Sequence, residues 1–236
     1  MWPFKNKARD DFERRQRRDE MLKTAQLSAQ VGNMRNVYET ITRLQQDAPI
    51  NDVIVEDVVC GMIDTAARTV PKNGLALAIW LINQHRPGEE NLRERATDAA
   101  FLLLDRIKLA DESLTASAAM MCLVIAANAS AGSAHEKKAL RLWDETVSNL
   151  GETDSGIQFA FAAASNAALV GEKNTPLKGL ALDKWEELVM KLAKRDKAGA
   201  FQETNRVIGN YRDFGKDGRA FRKRAIDTMI KVVRLP

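Results

Sequence analysis

The chain has 236 residues, 45% hydrophobic and 29% charged, a globular balance that sets disorder aside, and its length allows one or two domains. Aromatics at 6%, with 13 Gly and 6 Pro, are too few for a large β-sandwich or barrel, while two Cys and two His leave no disulfide scaffold and little for a metal site. The net charge of +4 is unevenly spread: residues 1–23 carry +3, residues 24–190 carry −7 and residues 191–236 carry +8.

Met1-Trp2-Pro3-Phe4-Lys5 lacks the apolar run of a secretory signal. The basic stretch after it holds Asp10, Asp11, Glu13, Asp19 and Glu20, unlike an organelle transit peptide. An intracellular, cytoplasmic and reducing setting is therefore expected. From there the apolar period is helical nearly throughout, and no useful length alternates with period two. About eleven helices are predicted, over 8–30, 34–46, 52–70, 74–85, 90–109, 113–130, 135–150, 155–170, 177–195, 198–212 and 217–234. Gly32-Asn33, the run Ala48 to Asp52, Pro71 to Gly74 and Arg86-Pro87-Gly88 separate the early ones. Gly132-Ser133, Gly151 with Gly156, and Gly171 to Pro176 separate the later ones.

Two helices stand apart. Residues 113–130 and 155–170 carry no charge after their first residues and are rich in Ala. A helix without a polar face is usually packed on several sides, so these two are expected at the centre of the fold. The uncharged stretch Ser113–His135 is long enough to span a bilayer, but its Ala, Ser, Asn and Gly content reads as a buried helix instead.

Ala139-Leu140-Arg141-Leu142-Trp143-Asp144-Glu145 matches Ala181-Leu182-Asp183-Lys184-Trp185-Glu186-Glu187 at an offset of 42. Each copy follows an uncharged Ala-rich helix. A third copy, Ala76 to Trp80, follows helix 52–70 out of phase, and Phe101 lies one period before Trp143. Self-similarity near 40 residues marks stacked helix pairs, with Trp143 and Trp185 expected in the grooves between pairs. On Ala76–Arg86, Ala139–Leu150 and Ala181–Leu192 the chain resembles the second helix of tetratricopeptide and pentatricopeptide hairpins. The resemblance implies a solenoid that binds a peptide or, in the pentatricopeptide branch, single-stranded RNA. It carries over architecture and no base-reading residue.

No catalytic constellation is present: no Gly-rich phosphate loop, no Cys-x-x-Cys, no His-Glu-x-x-His. His85 and His135 are fifty residues apart, and Cys60 and Cys122 sit in apolar runs as small hydrophobes. The carboxylate neighbours Glu56-Asp57, Glu89-Glu90 and Glu186-Glu187 point apart on a helix. The basic C-terminus is the sharpest feature. Arg206, Arg212, Lys216, Arg219, Arg222, Lys223 and Arg224 form a candidate partner-binding surface, with Tyr211 and Phe214 beside it. Cations at a helix start oppose the macrodipole, so helix stability does not explain them. They are expected to face something acidic: the chain's own body, nucleic-acid phosphate or an anionic membrane surface. Arg14-Arg15-Gln16-Arg17-Arg18 could join that surface.

The sequence therefore predicts an all-α fold of stacked antiparallel helix pairs, an irregular α-solenoid. It is divided into an N-terminal basic helix (1–33), a helical-repeat body (34–195) and basic C-terminal helices (196–236) packed on the body. The expected role is non-catalytic protein binding or scaffolding, without cofactor or metal. The alternative is RNA binding through the basic C-terminal surface.

Overall fold

The computed structural model describes residues 4–107, 111–170, 175–210, 212 and 218–236. Among them are eleven helices and no strand: α1 (Phe4–Gln30), α2 (Met34–Asp47), α3 (Val53–Thr69), α4 (Pro71–Asn83), α5 (Glu90–Arg106), α6 (Glu112–Asn128), α7 (Ala134–Leu150), α8 (Gly156–Val170), α9 (Thr175–Ala193), α10 (Lys197–Gly209) and α11 (Gly218–Arg234). The all-α fold of paired, stacked helices is the one the period demanded. None of the described helices is long and apolar enough to cross a membrane.

The helix starts have local causes. Asp52, Asp111, Ser133 and Asp196 each accept a hydrogen bond from a backbone N–H in the first turn of the helix they precede. Each such cap contributes about 1 kcal/mol. Pro71 does not end a helix but opens α4 at its first turn, where no N–H is needed. Gly74, read as part of a break, lies buried inside α4. A Cβ there would stand 2.5 Å from the Ala67 Cβ and 2.8 Å from the Ile63 carbonyl oxygen, so glycine lets α3 and α4 touch. Gly32, at φ +74°, is a true turn glycine between α1 and α2.

The chain divides into two compact units, Met1–Lys108 and Leu109–Pro236. That boundary falls inside the stretch read as one body, and residues 1–33 are not set apart, because α1 pairs with α2. In the first unit α3 pairs with α4, α5 packs on both, and α3 also packs on α1. Tyr38 of α2 meets Trp80 of α4 with ring centroids 5.2 Å apart. Glu89 is fully buried and ties two loops to α2. Its carboxylate accepts from Gln45 Nε2 (2.7 Å), the Ile50 N–H (2.7 Å) and the Arg86 N–H (2.9 Å).

In the second unit α6 pairs with α7, α8 with α9 and α10 with α11. Successive pairs meet through α6 on α8, α7 on α9 and α9 on α11. Trp143 and Trp185 are fully buried. Trp185 lies between pairs, edge-on to Phe221 of α11 at 5.1 Å. The third sequence copy departs from this pattern: Ala76 is exposed and Trp80 half-buried, whereas Ala139 and Ala181 are buried completely. The buried stripe of α4 runs instead through Leu75, Ala78 and Ile82.

The uncharged helices are central only in part. α8 packs on α6, α7 and α9, but α6 packs on α7 and α8 and leaves Met120 and Ala127 exposed. α8 likewise exposes Phe159. Their missing polar faces are partly apolar faces left in water.

Candidate partner-binding surface

The basic residues of the second unit are set by α9, α10 and α11. On α10, Arg206 grips Glu203 with both Nε and Nη2, each at 2.7 Å, and Nη2 reaches Ser165 Oγ of α8 at 3.4 Å. Glu203 is buried and also accepts from the Trp185 indole N–H at 2.9 Å. The Glu203 hydrogen bond holds the Arg206 pKa above its ordinary value. Arg206 thus completes a structural network.

On α11, Arg224 pairs with Asp183 and Glu186 of α9, and Lys231 pairs with Glu186. The pattern repeats one pair earlier. Lys184 of α9 lies 2.9 Å from Asp144 of α7, and Lys191 pairs with Glu152 just beyond α7. Lys184 and Lys191 stand forty residues before Arg224 and Lys231. Burial pulls the Lys184 ammonium down, but hydrogen bonds to Glu187 and Asp144 outweigh it, and its pKa stands above the lysine value. The Lys191 hydrogen bond holds the Glu152 carboxyl below its usual range. The first unit also pairs acids of one helix with arginines of a later one, Asp57 with Arg95 and Asp64 with Arg106 at 3.3 Å.

Arg219, Arg222 and Lys223 are exposed on α11, and Arg212 is exposed before it. Lys216, Tyr211 and Phe214 lie outside the described residues. Of the candidate residues, Arg206 and Arg224 are bound to acids of the body, and Arg219 and Lys223 are exposed on α11. A cavity of about 530 Å³ beside Arg206 is lined by Arg195 as well, but also by Asp154, Asp196 and Glu203. Arg195 pairs there with Asp154 at 3.4 Å.

The sequence reading missed an exposed apolar set. Met120 of α6, Phe159 of α8 and Phe201 of α10 are 38%, 43% and 40% exposed. They stand 39 and 42 residues apart, on the first helix of each pair. The repeat spacing itself was the available signal. On α11, Ile226, Ile230 and Val233 are also exposed, at helical spacing.

The groups with chemical potential are otherwise occupied. His85 Nδ1 lies 3.0 Å from the Ile82 carbonyl, and Nε2 lies 3.3 Å from Arg93 Nη1. Cys60 and Cys122 are buried, and burial pushes both thiols up to about 12. No cluster of three or more His, Cys, Asp or Glu residues able to hold a metal occurs among the described residues. No family model, curated protein or solved structure matches the chain.

Proposed function

We propose that the chain is a non-catalytic helical-repeat protein that binds or scaffolds another protein, in a reducing cytoplasmic compartment that suits its two free thiols. The contact row is the first helices of the pairs in the second unit. The observation that carries this reading is the exposure of Met120, Phe159 and Phe201 at repeat spacing. Large apolar side chains left in water at matched positions on successive helix pairs support a row that faces a partner. The likeness to tetratricopeptide hairpins supports the same role, a peptide held along one row of helices. RNA binding is the second reading, favoured by exposed Arg219 and Lys223 beside Arg222 on α11. The pairing of Arg206 and Arg224 with acids takes two cations from the candidate surface and supports the protein reading.

The test places a photo-crosslinking phenylalanine analogue at positions 120, 159 and 201, and at exposed Lys137 as control, in native lysate with and without nuclease. The expected result is a discrete protein adduct at the three apolar positions, absent at 137 and insensitive to nuclease. Adducts lost on nuclease treatment favour RNA. Equal adducts at all four positions overturn the apolar row.

A further inference from the structure

The first half of α1 is a separate matter from the apolar row, and its arginines have a different setting from those of α11. Along α1, Leu22, Ala25 and Ala29 are buried on one line. Arg14 and Arg18 continue that line toward the N-terminus, at the four-residue spacing that keeps side chains on one face. The face that packs on α2 and α3 farther along therefore carries guanidinium where α1, at 27 residues, outruns α2 at 14. Packing does not call for arginine there.

What this face covers is a cavity of about 480 Å³, lined by Arg14, Arg15, Arg17 and Arg18 on one side. The α2–α3 connection lines the other, with Asp47, Asn51 and Asp52. Buried Leu44, Ile50 and Val55 form an apolar floor. Four cations face two carboxylates. Arg18 lies 3.5 Å from Asp52, whose other oxygen already accepts from the Ile54 and Val55 N–H groups. Among the described residues Arg14, Arg15 and Arg17 make no ion pair. The cavity beside Arg206 differs on this point, since both of its arginines are paired with acids.

Four guanidiniums within five residues give the cavity wall a positive potential, which Asp52 and Asp19 beside Arg18 offset only in part. Their planar forks match phosphate oxygens two at a time. The volume lies in the range of small-molecule sites, roughly 300–1,000 Å³. The apolar floor suits a ring or chain attached to the phosphate. From this we infer that the α1 overhang and the α2–α3 connection form a binding site for a small phosphorylated molecule carrying two or more negative charges, with a nucleoside diphosphate as the fitting type. The inference does not depend on the protein-binding reading of the second unit.

The experiment is calorimetric titration of the full chain with ADP, with inorganic pyrophosphate and with a single-stranded oligouridine, at low and high salt. The variants are Arg14→Gln/Arg18→Gln, Arg15→Gln/Arg17→Gln and the control Arg9→Gln, each checked by circular dichroism. Arg9 is on the same helix and paired with Glu13 at 2.9 Å. The second double variant removes no ion pair, so a folding defect in the first does not blunt the test. ADP or pyrophosphate should bind one-to-one, more weakly at high salt. Each double variant should lose at least about tenfold in affinity, the effect of removing charge-assisted hydrogen bonds, and Arg9→Gln should lose nothing. No saturable binding of either probe at low salt overturns the site. So does affinity unchanged in both double variants, or binding of the oligouridine alone.

Discussion

Trp185 donates its indole N–H to Glu203 at 2.9 Å, with both side chains buried at the joint between the last two helix pairs. Trp143, the matching residue one pair earlier, is buried as completely, yet its indole nitrogen has no hydrogen-bond partner among the described residues. Two residues in the same sequence context thus do different work: one fills a groove, the other also anchors a carboxylate.

Replacing each Trp by Phe separates the two roles. Both lose packing, but Trp185→Phe also removes one donor from buried Glu203. Trp185→Phe should cost about 1–3 kcal/mol more than Trp143→Phe, the penalty for a buried polar partner left short. Urea unfolding of the two variants measures the difference. Equal losses would mean that the Glu203 contact contributes nothing.

Glu89 gives a second measure of buried polar chemistry. Its carboxylate serves two backbone N–H groups and Gln45 at full burial. Glu89→Ala strands all three donors and should destabilise the first unit by about 3–5 kcal/mol. The neighbouring Glu90→Ala, at an exposed position, should change stability by less than about 1 kcal/mol. Thermal melts of the pair check this.

The tail charges should split by partner. Arg224→Glu sets a carboxylate against Asp183 and Glu186 and should lower the melting temperature measurably. Arg219→Glu and Lys223→Glu, both exposed, should shift stability by less than about 0.5 kcal/mol. If RNA is the ligand, it is the latter two that should weaken binding of a labelled oligonucleotide, with a slope in salt near −0.7 per phosphate contact. A tail without bound charges would melt alike in all three variants.

Lys184 predicts an alkaline limit. Its folded pKa lies above the ordinary 10.5, so the stability from its pairs with Asp144 and Glu187 is fully present below that value. It is lost as pH rises through the higher folded pKa. Stability of the wild type should therefore fall faster above about pH 10.5 than that of Lys184→Met. Parallel pH–stability curves would assign the alkaline loss elsewhere. In the same samples Cys60 and Cys122, pushed up to about 12, should resist a thiol reagent at pH 8 until the chain unfolds.

Much of the fold was legible because period and punctuation act locally. The apolar stripe Leu177–Ala181–Trp185–Leu188–Leu192 is buried as read, and Asp52 caps the helix it precedes. Gly74 misled, because a glycine at a helix–helix touch looks the same in sequence as one at a turn. Trp80 misled for a similar reason: a motif of five residues does not report which flank of the helix faces inward. The site was harder still. Arg206 and Arg219 are the same letter, and only the position of Glu203 makes one a structural partner and leaves the other exposed. Met120 and Phe159 were hidden because an apolar residue in an uncharged helix signals burial, and exposure depends on how many neighbours that helix acquires; Phe201, on a helix with charged residues, was hidden because a lone aromatic there reads as core.

The paired charges at forty-residue spacing behave like a keyed coupling. α7 with its following turn offers α9 two carboxylates, Asp144 and Glu152, and α9 offers α11 Asp183 and Glu186. Each receiving helix answers with two cations seven residues apart, Lys184 with Lys191 and Arg224 with Lys231. The plug of one module fits the socket of the module just before it. Excising α8 and α9 as one piece would bring Arg224 and Lys231 to Asp144 and Glu152, plus still meeting minus.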